Sequence, residues 1–281
     1  MVLEVANLAR KFDRIFSESD AVHSIDRMDV LIPTRQPRVQ LTTDLPVGYA
    51  ASSRIQSDAA RAWLIAFSLM LFGYVVIPFD TVLASFMHTH HHWSGWKLVY
   101  LSEIFSHAWG VGLIALGIAS LYASDAPKIP QLFCASLGAG LLANIGKLIC
   151  ARTRPHSFDL TASSWESFQG LFPWWNGVYE NSTNLASLQS FPSAHAATAA
   201  GLAWGLSRRY PQGRWYFVLL CMLALCQRLV VEAHYLSDVC WGAAIGVIWA
   251  NFVFSNVKLG QRFVRLEVWL AGRWKIHRKK A

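Results

Sequence analysis

Three short stretches of this chain combine ionisable residues at spacings that suit chemistry on an anion. The first, Lys-Leu-Ile-Cys-Ala-Arg-Thr-Arg-Pro, carries Lys147, Arg152, Arg154 and Pro155. The second is Phe191-Pro192-Ser193-Ala194-His195, and the third runs from Arg228 through Glu232 and His234 to Asp238. Lys147, Arg152, Arg154 and Arg228 could surround a phosphate, since an arginine fork matches two phosphate oxygens at once. Ser193 falls where a helix should open, and free backbone N–H groups with the helix dipole favour an anion there. His234 and Asp238 lie four apart, so they share one face if a helix begins near Ala233. The carboxylate could then hold one imidazole nitrogen and leave the other free to attack phosphorus. His195, from another helix, could protonate the leaving oxygen.

The elements that must position these residues are apolar. Of 281 residues, 54% are hydrophobic and only 15% charged, against about a quarter charged in soluble domains. Thirteen tryptophans suit a protein with two water–lipid boundaries, where indole rings collect. About twenty apolar residues span a bilayer. Six segments reach or approach that length: 59–79, 98–123, 129–151, 194–206, 215–231 and 239–257. The fourth is short, and reaches full length only if it starts near Pro192 and runs into Ser207. The expected fold is therefore an all-α integral membrane protein of six transmembrane helices. Residues 1–57 form a cytoplasmic N-terminal arm, 58–257 the membrane domain, and 258–281 a basic interfacial tail. In the arm, Leu8, Phe12, Ile15 and Phe16 recur at helical spacing, which fits either a surface amphipathic helix or a cytosolic one.

A formal charge of +8 raises nucleic acid as a partner, but the basic residues flank apolar segments and form no single basic face, so the lipid bilayer is the expected partner. With the N-terminus inside, inner segments hold eight Lys/Arg up to Arg61, Lys128, three in 208–214 and eight from Lys258, or 20 of 25. The positive-inside rule thus places both termini in the cytoplasm. Helices three and five then run outward and four and six inward. All three charged clusters meet on the outer face, periplasmic or equivalent. The five cysteines form no CxxC pair and lie in or beside apolar segments, which suits packing.

The three clusters resemble the type 2 phosphatidic acid phosphatase (PAP2) superfamily, whose core is shared with vanadium haloperoxidases. Its pattern is K-x6-R-P, then P-S-[small]-H, then S-R-x5-H-x3-D. Lys147–Pro155 and Pro192–His195 match the first two, with Ala194 where glycine is common. Arg228–Asp238 keeps the third spacing, with Gln227 for the serine and Glu232 where glycine is usual. The resemblance covers roughly 59–257. It implies a PAP2-like helical core, His234 as a nucleophile that forms a phosphohistidine, Asp238 as its orienter and His195 as leaving-group acid. It also implies Lys147, Arg154, Ser193 and Arg228 as phosphate ligands, with no metal and no cofactor. The implied reaction is hydrolysis of a lipid phosphomonoester or diphosphate. A lipid phosphotransferase of the same superfamily is the near alternative, and a non-enzymatic membrane carrier the distant one.

Other features are weighed against plainer readings. Arg152 stands between phosphate contact and structural ion pair. Glu232 beside an anion site calls for a pairing with Arg152 or Arg228. His88-Thr-His90-His91-His92 reads as a polar loop rather than a metal site, since adjacent histidines cannot all face one ion. Glu103 and His107, four apart in the second helix, read as an internal hydrogen-bonded pair, with a place at the site's edge as the alternative. The loop 156–190, rich in aromatics including Trp165, Phe172, Trp174 and Trp175, reads as an interfacial belt, a headgroup lid, or both. Asn181-Ser-Thr is formally a glycosylation sequon.

Overall fold

The computed structural model describes residues 47–90, 94–122, 125–180 and 182–278. The amphipathic stretch around Leu8–Phe16, the histidines at 91 and 92, and Asn181 lie outside them. Nine α-helices are present among the described residues: α1 Val47–Val76, α2 Asp80–His90, α3 Lys97–Leu101, α4 Ala108–Leu121, α5 Ile129–Lys147, α6 Ala194–Arg209, α7 Arg214–Val230, α8 Leu236–Ser255 and α9 Val257–Arg278. Four helical runs are long and apolar enough to cross a membrane: Asp58–His90, Ile129–Lys147, Pro211–Val230 and Leu236–Ser255. A fifth is possible if the bent pair Lys97–Ser106 and Ala108–Leu121 counts as one span. Trp63, Leu64, Phe67, Leu71 and Phe72 are all exposed along α1, a surface that water would disfavour and lipid would not. These apolar helices mark an integral membrane protein.

The first two expected spans take a different course from the simple one. The first does not stop at Phe79. A 3₁₀ turn at Ile77–Phe79, with Pro78 removing a backbone donor, joins α1 to α2, and the run continues to His90. His88 and His90 therefore sit on a helix, not in a loop. The second span is broken: His107 adopts extended backbone (φ −102°, ψ 145°), and the helices on either side bend by 77°. Glu103 and His107 are consequently on different elements, and the expected i,i+4 pair within one helix does not form.

α6 is the centre. Its 16 residues reach only about 24 Å at 1.5 Å each, short of a hydrocarbon core of about 30 Å. Alanine and glycine dominate its sequence, and neighbours cover it on all sides: α5, α7 and α8 each pack along it. Small residues let backbones close in. A Cβ on Gly242 of α8 would stand 2.2 Å from the Ser193 carbonyl oxygen, and one on Gly246 would stand 2.4 Å from that of Ala197. On the other side, a Cβ on Gly201 of α6 would meet the Ala135 carbonyl oxygen at 2.5 Å. Close backbone approach of this kind is how helices associate where the hydrophobic effect is weak.

The all-helical expectation fails in one place. α5 ends at Lys147, and Cys150–Arg152 (β1) then pairs antiparallel with Phe168–Leu171 (β2), in the register Cys150↔Leu171, Ala151↔Gly170 and Arg152↔Phe168 with a bulge after Ala151. Arg154 is extended at ψ 151°, as a residue before proline should be. The helix thus stops about two turns earlier than Pro155 alone would require.

The close contact at Gly242 gives a test. Gly242→Val should force α8 away from Ser193 and lower the thermal midpoint in detergent, at a cost of roughly 1–3 kcal/mol. Gly112→Ala, where a Cβ meets nothing within 4 Å, should be near neutral. A Gly242→Val protein as stable as wild type would contradict this packing.

Candidate active site

The C-terminus of α5, the N-terminus of α6 and the turn between α7 and α8 lie at one end of the bundle, with the β1–β2 hairpin beside them. Backbone bonds tie these pieces together: Ser193 N–H donates to the Asp238 carbonyl (3.1 Å), Ser190 N–H to that of Arg152 (3.0 Å), and His156 N–H to that of Glu232 (3.3 Å). The three clusters, distant in sequence, therefore converge. Lys147, Arg154 and Arg228 all lie within electrostatic reach of both His234 and His195. Ser193 caps α6, its hydroxyl accepting from Ala196 N–H.

His234 is fully buried in the turn before α8. Its Nδ1 lies 2.7 Å from the Ser190 carbonyl oxygen. A carbonyl can only accept, so Nδ1 carries the proton and Nε2 keeps its lone pair. Burial holds the imidazole well below its ordinary pKa, and the cations Lys147 and Arg154 push the same way. The ring is therefore neutral, as a nucleophile must be. The expected direct bond from Asp238 is absent: its carboxylate is 4.0 Å from Nδ1. Asp238 instead accepts from the Ser190 hydroxyl (2.6 Å), Tyr235 N–H (2.9 Å) and Arg152 (2.5 Å). It acts on His234 at one remove, by fixing Ser190, whose carbonyl holds the ring.

Arg152 does not face a ligand. It is fully buried, and its Nη2 donates to Asp80 at 2.8 Å while Nη1 reaches Asp238 and the Ser237 hydroxyl (2.7 Å). Nε donates to the Ser167 hydroxyl at 2.9 Å, and the guanidinium lies between the Phe168 and Tyr235 rings, about 4 Å from each centroid. Burial works against the charge, but Asp238 and Asp80 outweigh it and raise the pKa further. Of the two readings of Arg152, the ion pair is what the geometry supports, and its place among the phosphate ligands is withdrawn.

Sequence reasoning missed Asp80, although a signal was present. An aspartate directly after Ile-Pro-Phe, inside the longest apolar run of the chain, is expensive unless paired. It also accepts from Ser237 N–H (3.1 Å) and from the Ser237 hydroxyl. Ser190, too, carried no motif.

Arg228 is partly engaged. Its Nη2 donates to Glu103 at 3.0 Å and its Nε to the Gln227 side chain. Gln227 in turn reaches Glu103 at 3.3 Å. Glu103 and His107 therefore belong to the edge of the site, with the His107 ring 5.6 Å from that of His195. Glu232 pairs with neither Arg152 nor Arg228. It meets His88, 2.9 Å away on α2. Its φ of 55° is the left-handed conformation that glycine adopts without strain. Two cations remain open. Among the described residues no hydrogen-bond acceptor reaches Lys147 Nζ or the Arg154 guanidinium, and Arg154 Nε is buried without a partner. Burial lowers the pKa of Arg154 and Asp238 offsets part of that. A buried donor left open is costly unless an anion visits it.

Residues 130–261 match the profile of the PAP2 superfamily. The match spans just under half of the chain and contains all the residues of the three clusters. Two lipid A 1-phosphatases are similar to this chain: one from Rhizobium etli, 32% identical over 116 residues (41% of this chain, 44% of that protein), and one from Rhizobium johnstonii, 31% identical over 127 residues (45% and 46%). The chain thus spans less than half the length of the curated relatives it matches. No solved structure matches it. Asp80, His88, Glu103 and His107 fall before the matched segment, so the first two spans bring side chains to the site from outside it.

The Asp80–Arg152–Asp238 bridge is open to test. Removing one partner from a buried pair costs about 3–5 kcal/mol, so Asp80→Ala should sharply reduce folded, detergent-extractable protein. Full recovery of wild-type stability would show that the bridge carries no such load.

Proposed function

We propose that this chain is a membrane lipid phosphatase that works without a metal, through a phosphohistidine on His234. The observation that carries the reading is a buried His234 whose Nδ1 faces the Ser190 carbonyl, within reach of two cations that have no hydrogen-bond acceptor among the described residues. In this mechanism Lys147 and Arg154 hold the phosphoryl oxygens, aided by the backbone at Ser193 and by Arg228. His234 Nε2 attacks phosphorus and the bond to the lipid oxygen breaks. His195 gives that oxygen a proton, then takes one from the water that attacks the phosphohistidine and releases inorganic phosphate.

A lipid substrate is supported by position as well as by kinship. An apolar cleft lined by Ile77, Trp165, Phe168, Leu171, Phe191 and Trp241 opens two residues from Ser193, and exposed Trp174 and Trp175 suit the headgroup level. The names of the two rhizobial relatives favour a phosphomonoester on a lipid A sugar. The proposed membrane arrangement counts the bent pair as one span and α6 as a short central one, which makes six. Both termini are then cytoplasmic and the site faces the outer leaflet, with α9 as a basic helix at the inner surface.

His234→Ala should abolish phosphate release from lipid A 1-phosphate while the protein still folds, a loss of several orders of magnitude. Wild-type activity should survive excess EDTA, because the cations and the α6 N-terminus already supply positive charge. Residual activity above about a tenth in the variant would remove His234 as nucleophile. Magnesium-restorable loss with EDTA would remove the metal-free mechanism.

Orientation has its own measurement. In a variant lacking the native cysteines, a cysteine placed within 156–190 should react with an impermeant thiol reagent on intact cells or spheroplasts. One placed within 209–213 should react only after the membrane is opened. The reverse pattern would overturn the outward-facing site.

A further inference from the structure

Glu103, His107 and His195 come from three separate elements: the 3₁₀ turn Ser102–Ser106, the bend that follows it, and the first turn of α6. Each presents a ligand atom, and these atoms all lie within 4.8 Å of one another. A zinc ion bound to two imidazoles and a carboxylate sits about 2.0–2.2 Å from each, which needs ligand atoms about 3.4 Å apart in a tetrahedral set. Small side-chain rotations close that gap. Neither imidazole has a hydrogen-bond partner among the described residues that would have to be broken. The Glu103 contacts are a charge pair with Arg228 at 3.0 Å and a long bond from Gln227 at 3.3 Å, so one carboxylate oxygen is weakly held. His107 is exposed and Glu103 half-exposed, which gives an ion a path from water.

We propose that this cluster is an inhibitory site for a soft divalent cation such as zinc, separate from turnover itself. Two neutral imidazoles and one carboxylate are a borderline ligand set that favours zinc, cobalt or copper over magnesium or calcium. Arg228 stands beside the ion and weakens its hold, so binding is reversible rather than structural. The site lies beside the reacting groups and draws on only one of them. An ion there binds the His195 nitrogen in place of the proton that the leaving-group acid must carry, so His195 can neither give nor accept one. That consequence rests on the acid–base role proposed above; the binding itself does not. Glu103 and His107 lie before the PAP2-matching segment, so the site joins the first membrane segments of this chain to that core.

The test separates the two. Untagged, full-length protein in detergent is titrated with Co²⁺ alone and its visible absorption followed. One equivalent should bind with the intense bands of a four-coordinate ion, and Zn²⁺ should displace it. His107→Ala should lose the bands, while replacing His90, His91 and His92 with alanine should leave them. Phosphate release, measured in parallel, should fall with added Zn²⁺ and return with EDTA in wild type. His107→Ala, read against its own metal-free rate, should need roughly tenfold or more Zn²⁺ for the same fractional inhibition. Absence of stoichiometric Co²⁺ binding, or bands that depend on the 90–92 histidines and not on His107, would overturn the site. Binding that depends on His107 but leaves phosphate release untouched would keep the site, overturn its inhibitory role, and count against His195 as the acid.

Discussion

The Arg152 guanidinium is the joint on which the active end of the bundle hangs. Its neighbours come from three parts of the chain: Asp80 at the start of α2, Ser167 at the foot of β2, and Ser237 and Asp238 in the first turn of α8. All three charges are fully buried. In a low-dielectric interior such a group persists only when its donors are met, and here four of them are. Two aromatic faces close over it. Because the partners cannot move without stranding a charge, the first span, the hairpin and α8 are held in one relation. The same Asp238 that anchors Arg152 also fixes Ser190, so the geometry at His234 follows from the bridge.

The cations of the site differ by what surrounds them. Arg152 has acceptors on every side and its charge is spent inside the protein. Arg228 is shared with Glu103 and Gln227. Among the described residues Lys147 and Arg154 have no acceptor, although both are largely shielded from water. An anion arriving there meets donors already stripped of solvent and fixed in place, the condition under which charge–charge contacts are worth most.

Most of this end of the molecule could be read from sequence because its chemistry is local. Cations before Pro155, a serine where a helix opens, and His234 four before Asp238 are patterns within a few residues of sequence, and the structure brings them together. What escaped depends on contacts between elements. Asp80 gave a signal in its apolar setting, but nothing named Arg152 as its partner 72 residues on. The direct His234–Asp238 bond was inferred from spacing, and spacing says nothing of a Ser190 carbonyl that reaches the ring first. The break at His107 and the β1–β2 hairpin were likewise invisible to hydropathy. That measure records how apolar a segment is, not where its backbone turns.

Glu232 shows how an unusual residue is carried at such a site. Its backbone is left-handed, which costs a residue with a side chain roughly 1 kcal/mol that glycine would avoid. Its carboxylate also stands two residues from a histidine proposed to take up phosphate, where negative charge opposes binding. Both costs are met from α2. His88 lies against the carboxylate with both oxygens within 3.1 Å, which gives the charge a partner on α2. The helix must reach His88 for this to happen, and it does so because the apolar run continues beyond Asp80. The length of the first span, the pairing of Asp80 and the tolerance of Glu232 are thus consequences of one continuous helical segment laid along the active end.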